Sequence, residues 1–170
     1  MKLVSIPANP APEDAVSGTV KTPDGVNLRY ARWLPPPSRK GTVCLFQGRA
    51  EFIEKYFETV RDLRARGFAV ATIDWRGQGL SDRVLADRQR GHVRDFYQYG
   101  IDLDSFMEQV VLPDCPPPIF AAAKVWLNAT KGVDIYCPWN ANVGIERQRL
   151  RLRIDTYHRV FLRRSLFRDS

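Results

Sequence analysis

Apolar residues along the chain come in short unbroken runs separated by amphipathic stretches. Thr42 to Phe46 and Phe68 to Ile73 are the clearest runs. Each reads as a strand covered by helices on both faces, because neither alternates with polar residues. Between them Phe52, Tyr56, Val60 and Leu63 recur at steps of four, four and three. This predicts a helix over about 51–66 that turns those four side chains toward the sheet. Glu51 and Glu54 open it, Arg64 and Arg66 close it, and Gly67 stands where a C′ residue ends a helix. A strand–helix–strand crossover of this length makes the two strands parallel. A second helix is expected over about 95–111, with Phe96, Tyr99, Leu103, Phe106 and Val110 inward and Pro113 closing it. Three prolines then introduce Ile119–Ala122, a third parallel strand.

Before this unit, Val16–Thr22 and Val26–Leu34 flank Pro23-Asp24-Gly25 and read as a hairpin at a sheet edge. Residues 1–14 hold a proline-rich surface strap, and 15–122 hold the patterned domain. Residues 123–170 are an atypical arginine-rich segment. Within it Val133–Cys137 reads as a strand. From Glu146 to Arg164 the pattern fits either a strand, with Arg147, Arg149, Arg151 and Arg153 alternating, or a basic amphipathic helix.

Charge follows the same division. The net charge is +7. Residues 1–120 contain 16 Lys and Arg against 15 Asp and Glu, a net +1, while residues 121–170 contain 10 against 4, a net +6. Hydrophobic content of 44% with 26% charged residues excludes a wholly disordered chain. Cys44, Cys115 and Cys137 are too widely spaced for a disulfide framework or a metal-ligand set, so reduced thiols are expected. Met1–Ile6 is too short an apolar run for a signal peptide and lacks a small-residue cleavage site close behind it, so a cytoplasmic location is expected.

Phe46-Gln47-Gly48-Arg49, the loop Asp74-Trp75-Arg76-Gly77-Gln78-Gly79-Leu80-Ser81 and the pair Gly91-His92 occur in order with the predicted elements between them. Over about residues 15–120 the chain thereby resembles α/β-hydrolases of the lysophospholipase and monoacylglycerol-lipase type, also grouped as S33 serine aminopeptidases. The resemblance implies an α/β fold, a three-layer sheet truncated after the strand that normally precedes a nucleophile elbow. It implies descent from a carboxylic-ester hydrolase whose substrate would be a lipid ester or a monoacyl compound. The family's elbow is G-x-S-x-G. This chain instead continues Ala121-Ala122-Ala123-Lys124-Val125-Trp126 and contains no such motif. The expectation is an inactive chain with no identifiable nucleophile.

The resemblance places an oxyanion turn at Gly48, Arg49 and Ala50, with the Arg49 N–H as first donor. A plain strand-to-helix turn needing a glycine reads the same residues without chemistry. Asp74, Arg76, Gly77, Gly79 and Ser81, with Gly91 and His92, read as a structural loop. In it Arg76 pins the backbone to a neighbouring carboxylate and Ser81 is a turn residue. The glycine spacing fits no phosphate-binding motif. His92 and His158 are the only histidines. His158 sits among arginines that would lower its proton affinity without orienting it. No metal site and no cofactor are expected.

The resemblance makes the strand at Ile119–Ala122 a central one paired on both sides, so ending the recognisable sheet there would leave an open apolar edge. Three outcomes are anticipated: the tail covers that edge, a second chain pairs with it (a homo-oligomer or other edge-pairing partner), or the fold is marginal. Binding of nucleic acid or anionic membrane by the basic tail is the remaining partner expectation, and a non-enzymatic binding or pairing module is the alternative function.

Overall fold

The computed structural model describes residues 2–34, 40–123, 133–136, 149–154 and 160–164, with side chains described as far as residue 122. The hairpin forms β1 (Ala15–Lys21) and β2 (Asn27–Trp33), antiparallel from Ala15 opposite Trp33 to Lys21 opposite Asn27. Its turn is closed by the Thr22 hydroxyl, which accepts from the Val26 N–H at 2.9 Å and donates to Asp24 at 2.6 Å. β3 (Thr42–Phe46) lies between β4 (Ala69–Ile73) and β5 (Ile119–Ala123) and is parallel to both. β2 packs antiparallel on the far side of β4, Tyr30 opposite Ile73.

Period-two alternation sorts the core into two layers. On one face Val43, Leu45 and Val70 meet Val60 and Leu63 of α1 (Phe57–Ala65). On the other, Cys44, Phe46, Ala71 and Ile73 meet Phe106 of α2 (Tyr97–Phe106) and Val110 beyond it. Cys44 and Cys115 are buried free thiols. Burial pushes the Cys44 thiol well above its ordinary range and the Cys115 thiol up to about 11. Both stay protonated and behave as small apolar groups.

Both helices depart from the sequence pattern at their first turn. The first begins as a 3-10 turn, Ile53–Tyr56, before α1. Phe52 is 40% exposed, Tyr56 only partly buried, and Ile53 and Phe57 fill the inner face instead. Asp74 captures the Ile53 N–H at 2.9 Å, and the tighter 3-10 winding rotates the buried stripe by one position. In the second helix Phe96 is 81% exposed, not inward. It precedes the first α turn, where Asp95 accepts the Tyr97 N–H at 2.9 Å, so helical periodicity does not yet apply to it. A π turn at Met107–Val111 follows α2, and its extra residue turns both Val110 and Val111 inward. The helix ends in an α turn, Leu112–Asp114, so Pro113 lies inside its last turn and not beyond it.

The sheet does not stop at β5. β6 (Val133–Tyr136) runs antiparallel along it, followed by antiparallel β7 (Arg149–Ile154) and β8 (Val160–Arg164). The order is β1-β2-β4-β3-β5-β6-β7-β8. The edge expected to be open at β5 is therefore occupied by the chain's own β6. For the Glu146–Arg164 ambiguity, 149–154 and 160–164 are strands, not turns of one helix. His158 and the stretch 124–132 lie outside the described residues.

The N-terminal strap is bound along α1. Leu3 and Ala11 pack against the core, the Trp33 indole donates to the Pro12 carbonyl at 3.2 Å, and Arg61 and Arg64 donate to the carbonyls of Pro10 and Glu13.

Candidate functional site

The loop after β4 is held by a buried charge cluster. Arg29, on β2, is 1% exposed. Its guanidinium grips both oxygens of Glu54, at 2.7 and 2.8 Å, and donates through Nε to Asp74 at 2.7 Å. One cation thus faces two carboxylates, and backbone amides supply the missing positive charge: Val4 N–H to Glu54, Ile53 and Leu80 N–H to Asp74. Burial raises the Asp74 carboxyl's proton affinity despite Arg29 and these amides. Burial is the strongest influence on Glu54 too, but there the Arg29 fork and backbone donors, Val4 among them, together outweigh it and the carboxyl is held low. Ser81 completes the cluster, donating to the Asp74 carbonyl at 2.6 Å and accepting from the Arg29 N–H at 2.8 Å. The Ser81 hydroxyl is thereby engaged both as donor and as acceptor within the loop.

Arg76 pins the other side. Its Nε donates to Asp102 of α2 at 2.8 Å, its own N–H to the second oxygen at 3.1 Å, and its two terminal nitrogens to Asp24 of the hairpin turn at 2.6 and 3.1 Å. The hydrogen bond from Arg76, then that from Thr22, holds the Asp24 carboxyl at about 2, below its ordinary 3.8. A depressed carboxyl pKa contributes stability that is present above pH 3.8 and lost as pH falls through about 2. Asp24→Asn should therefore be less stable than wild type near neutrality, with the gap closing on acidification. Urea unfolding from neutral pH to about pH 2.5 measures it; a gap independent of pH would refute the linkage.

Gly77 and Gly79 let this loop pack against its own supports. A Cβ on Gly77 would lie 2.8 Å from the His92 carbonyl oxygen, and one on Gly79 would fall on the Asp74 carboxylate. Gly91 and His92 thus contribute backbone to the loop, while the His92 side chain is exposed.

The loop in turn braces the turn after β3. Gly48 donates its N–H to Glu51 at 2.9 Å, and Glu51 also accepts from the Tyr56 hydroxyl at 2.6 Å. Ala50 adopts the left-handed region at φ 62° and donates its N–H to the Gln78 side chain at 2.5 Å. Of the three candidate donors, Gly48 and Ala50 are therefore spent internally. The Arg49 N–H between them makes no hydrogen bond among the described residues. A donor held in place by satisfied neighbours is what stabilisation of a developing oxyanion requires. Trp75 donates its indole N–H to the Gln47 carbonyl at 3.1 Å and fixes the turn from below. Gln47 Nε2 donates to the Thr72 hydroxyl, and its Oε1 is buried without a partner.

These elements line one open cleft of about 1420 Å³. It joins the Gly48–Ala50 turn, the Trp75–Leu80 loop and the Trp75–Tyr99–Phe96 aromatic row, with ring centroids 5.5 and 6.1 Å apart. Among the described residues no three metal-capable side chains gather, and no helix is long and apolar enough to cross a membrane. Glu51, Glu54, Gln78 and Arg29 were not distinguished by sequence reasoning. The side-chain partners of Arg29, Glu54 and Gln78 lie 25 to 52 positions away, beyond any local motif, while Gly48 and Tyr56, which donate to Glu51, are three and five positions from it.

Comparison with known proteins agrees with this architecture. The sequence profile of the family described as serine aminopeptidase, S33, matches residues 37–124, just over half of the chain. Lysophospholipase L2 of Escherichia coli K12 is 41% identical over 90 residues, which is 53% of this chain and 26% of that protein. A probable lysophospholipase L2 of Haemophilus influenzae is 34% identical over 86 residues, 50% of this chain and 27% of that protein. The chain spans about a quarter of the length of these relatives. Among solved structures, DcsB in complex with its substrate analogue aligns with TM-score 0.52 at 17% identity, over 65% of this chain and 36% of that one. An epoxide hydrolase from Vigna radiata aligns with TM-score 0.50 at 18% identity, over 67% of this chain and 33% of that one. At such identities the likeness is one of fold.

Proposed function

The chain belongs to the serine aminopeptidase S33 family of α/β-hydrolases, and from that lineage we propose that it derives from a lysophospholipase or monoacylglycerol-lipase type of ester hydrolase and does not itself hydrolyse esters. The observation that carries this reading is an asymmetry. The Arg49 N–H is presented between two satisfied neighbours, yet the strand beside it ends Ala121-Ala122-Ala123 where the family carries its serine. In a complete family member the serine attacks the ester carbonyl, the alcohol leaves, and water releases the acyl group from the enzyme. One amide donor to the oxyanion is worth about 3 kcal/mol to that reaction. It lowers the barrier of an attack and cannot supply one. Ser81 is committed to Asp74 and Arg29, and burial disarms Cys44 and Cys115.

The test is intact-mass analysis of the folded chain after treatment with a fluorophosphonate, beside a full-length lysophospholipase as labelling control. No adduct is expected. A stoichiometric adduct at a single residue would establish an activated nucleophile and overturn the reading.

A further inference from the structure

Strands β6, β7 and β8 sort their residues by charge. In antiparallel pairing, residues opposite each other share a face, and every second residue along a strand returns to it. Tyr136 stands opposite Arg149, Asp134 opposite Arg151, Arg151 opposite Arg163 and Arg153 opposite Phe161. One face therefore gathers Arg149, Arg151, Arg153 and Arg163 with Tyr136 and Phe161. Its acid is Asp134, and four arginines against one aspartate leave a net +3 on that face. The opposite face takes the aliphatic positions Leu150, Leu152 and Ile154 of β7, with Ile135 and Leu162 across from them, and Arg164. The register through β5 identifies the side. Tyr136 and Asp134 stand opposite Ala121 and Ala123, which stand opposite Cys44 and Phe46. Cys44 and Phe46 belong to the layer that meets α2, so the arginine face continues that side of the sheet past β5. Along β7 its arginines recur about every 6.8 Å. Such an interval is comparable with one nucleotide of an extended strand.

We propose that this face of β6–β8 binds single-stranded nucleic acid, its arginines meeting successive phosphates and Tyr136 and Phe161 serving as platforms for bases. Guanidinium forks suit phosphate oxygens, and bases stack on aromatic rings with little regard to sequence. The register favours this partner over an anionic membrane. Interfacial adsorption needs apolar bulk beside the cations, and here the aliphatic positions fall on the opposite face. The proposal goes beyond the lineage reading and does not rest on it, because β6–β8 lie past the residues that match the family.

Fluorescence anisotropy of a labelled dodecauridylate, titrated with the full chain at several salt concentrations, is the test. Saturable binding is expected, weakening with salt at a log–log slope of about −2 to −3, the value for three or four phosphates. A duplex of the same length should bind more weakly, since its bases are not open to stacking. Arg151→Gln with Arg153→Gln should weaken binding of the single strand at least about tenfold and flatten the slope by about 1 to 1.5. Lys21→Gln with Lys40→Gln removes the same charge from exposed residues elsewhere, and should leave binding unchanged. Phe161→Leu should weaken binding about fivefold or more with the slope unaltered, a loss that charge alone does not produce. Arg153→Gln alone should show a smaller loss than the double variant and serves if that variant does not fold. Equal loss in the lysine control, or a duplex bound as tightly as the single strand, would overturn the proposal. So would binding to phosphatidylserine vesicles without binding to the dodecauridylate, which would assign the face to an anionic membrane.

Discussion

Arg29→Met is expected to lower unfolding stability by about 3–5 kcal/mol, because it leaves two buried carboxylates without their cation. Methionine keeps much of the volume, so packing alone does not produce such a loss. Domains of this kind have only about 5–15 kcal/mol in hand, which puts the variant close to the threshold of folding. The sign of the pH response identifies the cause. Asp74 is already raised by burial with Arg29 present, and without it both Asp74 and Glu54 should take up protons more readily in the folded state. Protonation relieves the unpaired charge, so the deficit should shrink as pH falls from neutrality toward about 4.5. Urea midpoints at several pH values measure this. A deficit that stays constant would assign the role of Arg29 to packing and not to charge.

Gly79→Ala is the second large effect, with an expected cost above about 3 kcal/mol. The φ of +49° alone would charge an alanine about 1–2 kcal/mol. The remainder comes from Asp74, whose carboxylate occupies the place of the new Cβ and cannot swing aside while Arg29, Ile53 and Leu80 hold it. Gly25→Ala separates the two contributions. Its φ is +86° and nothing lies within 4 Å of the new Cβ, so only the conformational part should appear. Equal losses in the two variants would mean that the close approach to Asp74 carries no weight.

The sequence announced the parts of the fold that local chemistry determines. Continuous apolar runs marked β3 and β4, Pro23-Asp24-Gly25 marked the hairpin turn, and the glycines of the Asp74–Ser81 loop sit where left-handed backbone is needed. Periodicity failed where a distant contact changed the winding. Phe52 lost its inward place because Asp74 captures the amide of Ile53, a tertiary event that spacing within the helix cannot register. The candidate turn was legible as three residues. The resemblance also put the Arg49 N–H first among the donors; what it could not register is that Glu51 and Gln78 occupy the amides on either side. Arg29 lies inside a segment that reads only as one arm of a hairpin, and its partners at Glu54 and Asp74 make it the centre of the loop's support.

The place of β3 between β4 and β5 also has a consequence for synthesis on the ribosome. β4 follows β3 closely in the chain and can pair with it as soon as both emerge. β5 arrives about 45 residues after β4 ends, roughly 2–9 s later at ordinary translation rates. For that interval the nascent chain presents one side of a five-residue apolar strand, unpaired, to everything in the surrounding solution. A holdase that recognises extended apolar backbone would find its target in β3 during those seconds, and would lose it once Ile119 takes its place opposite Thr42.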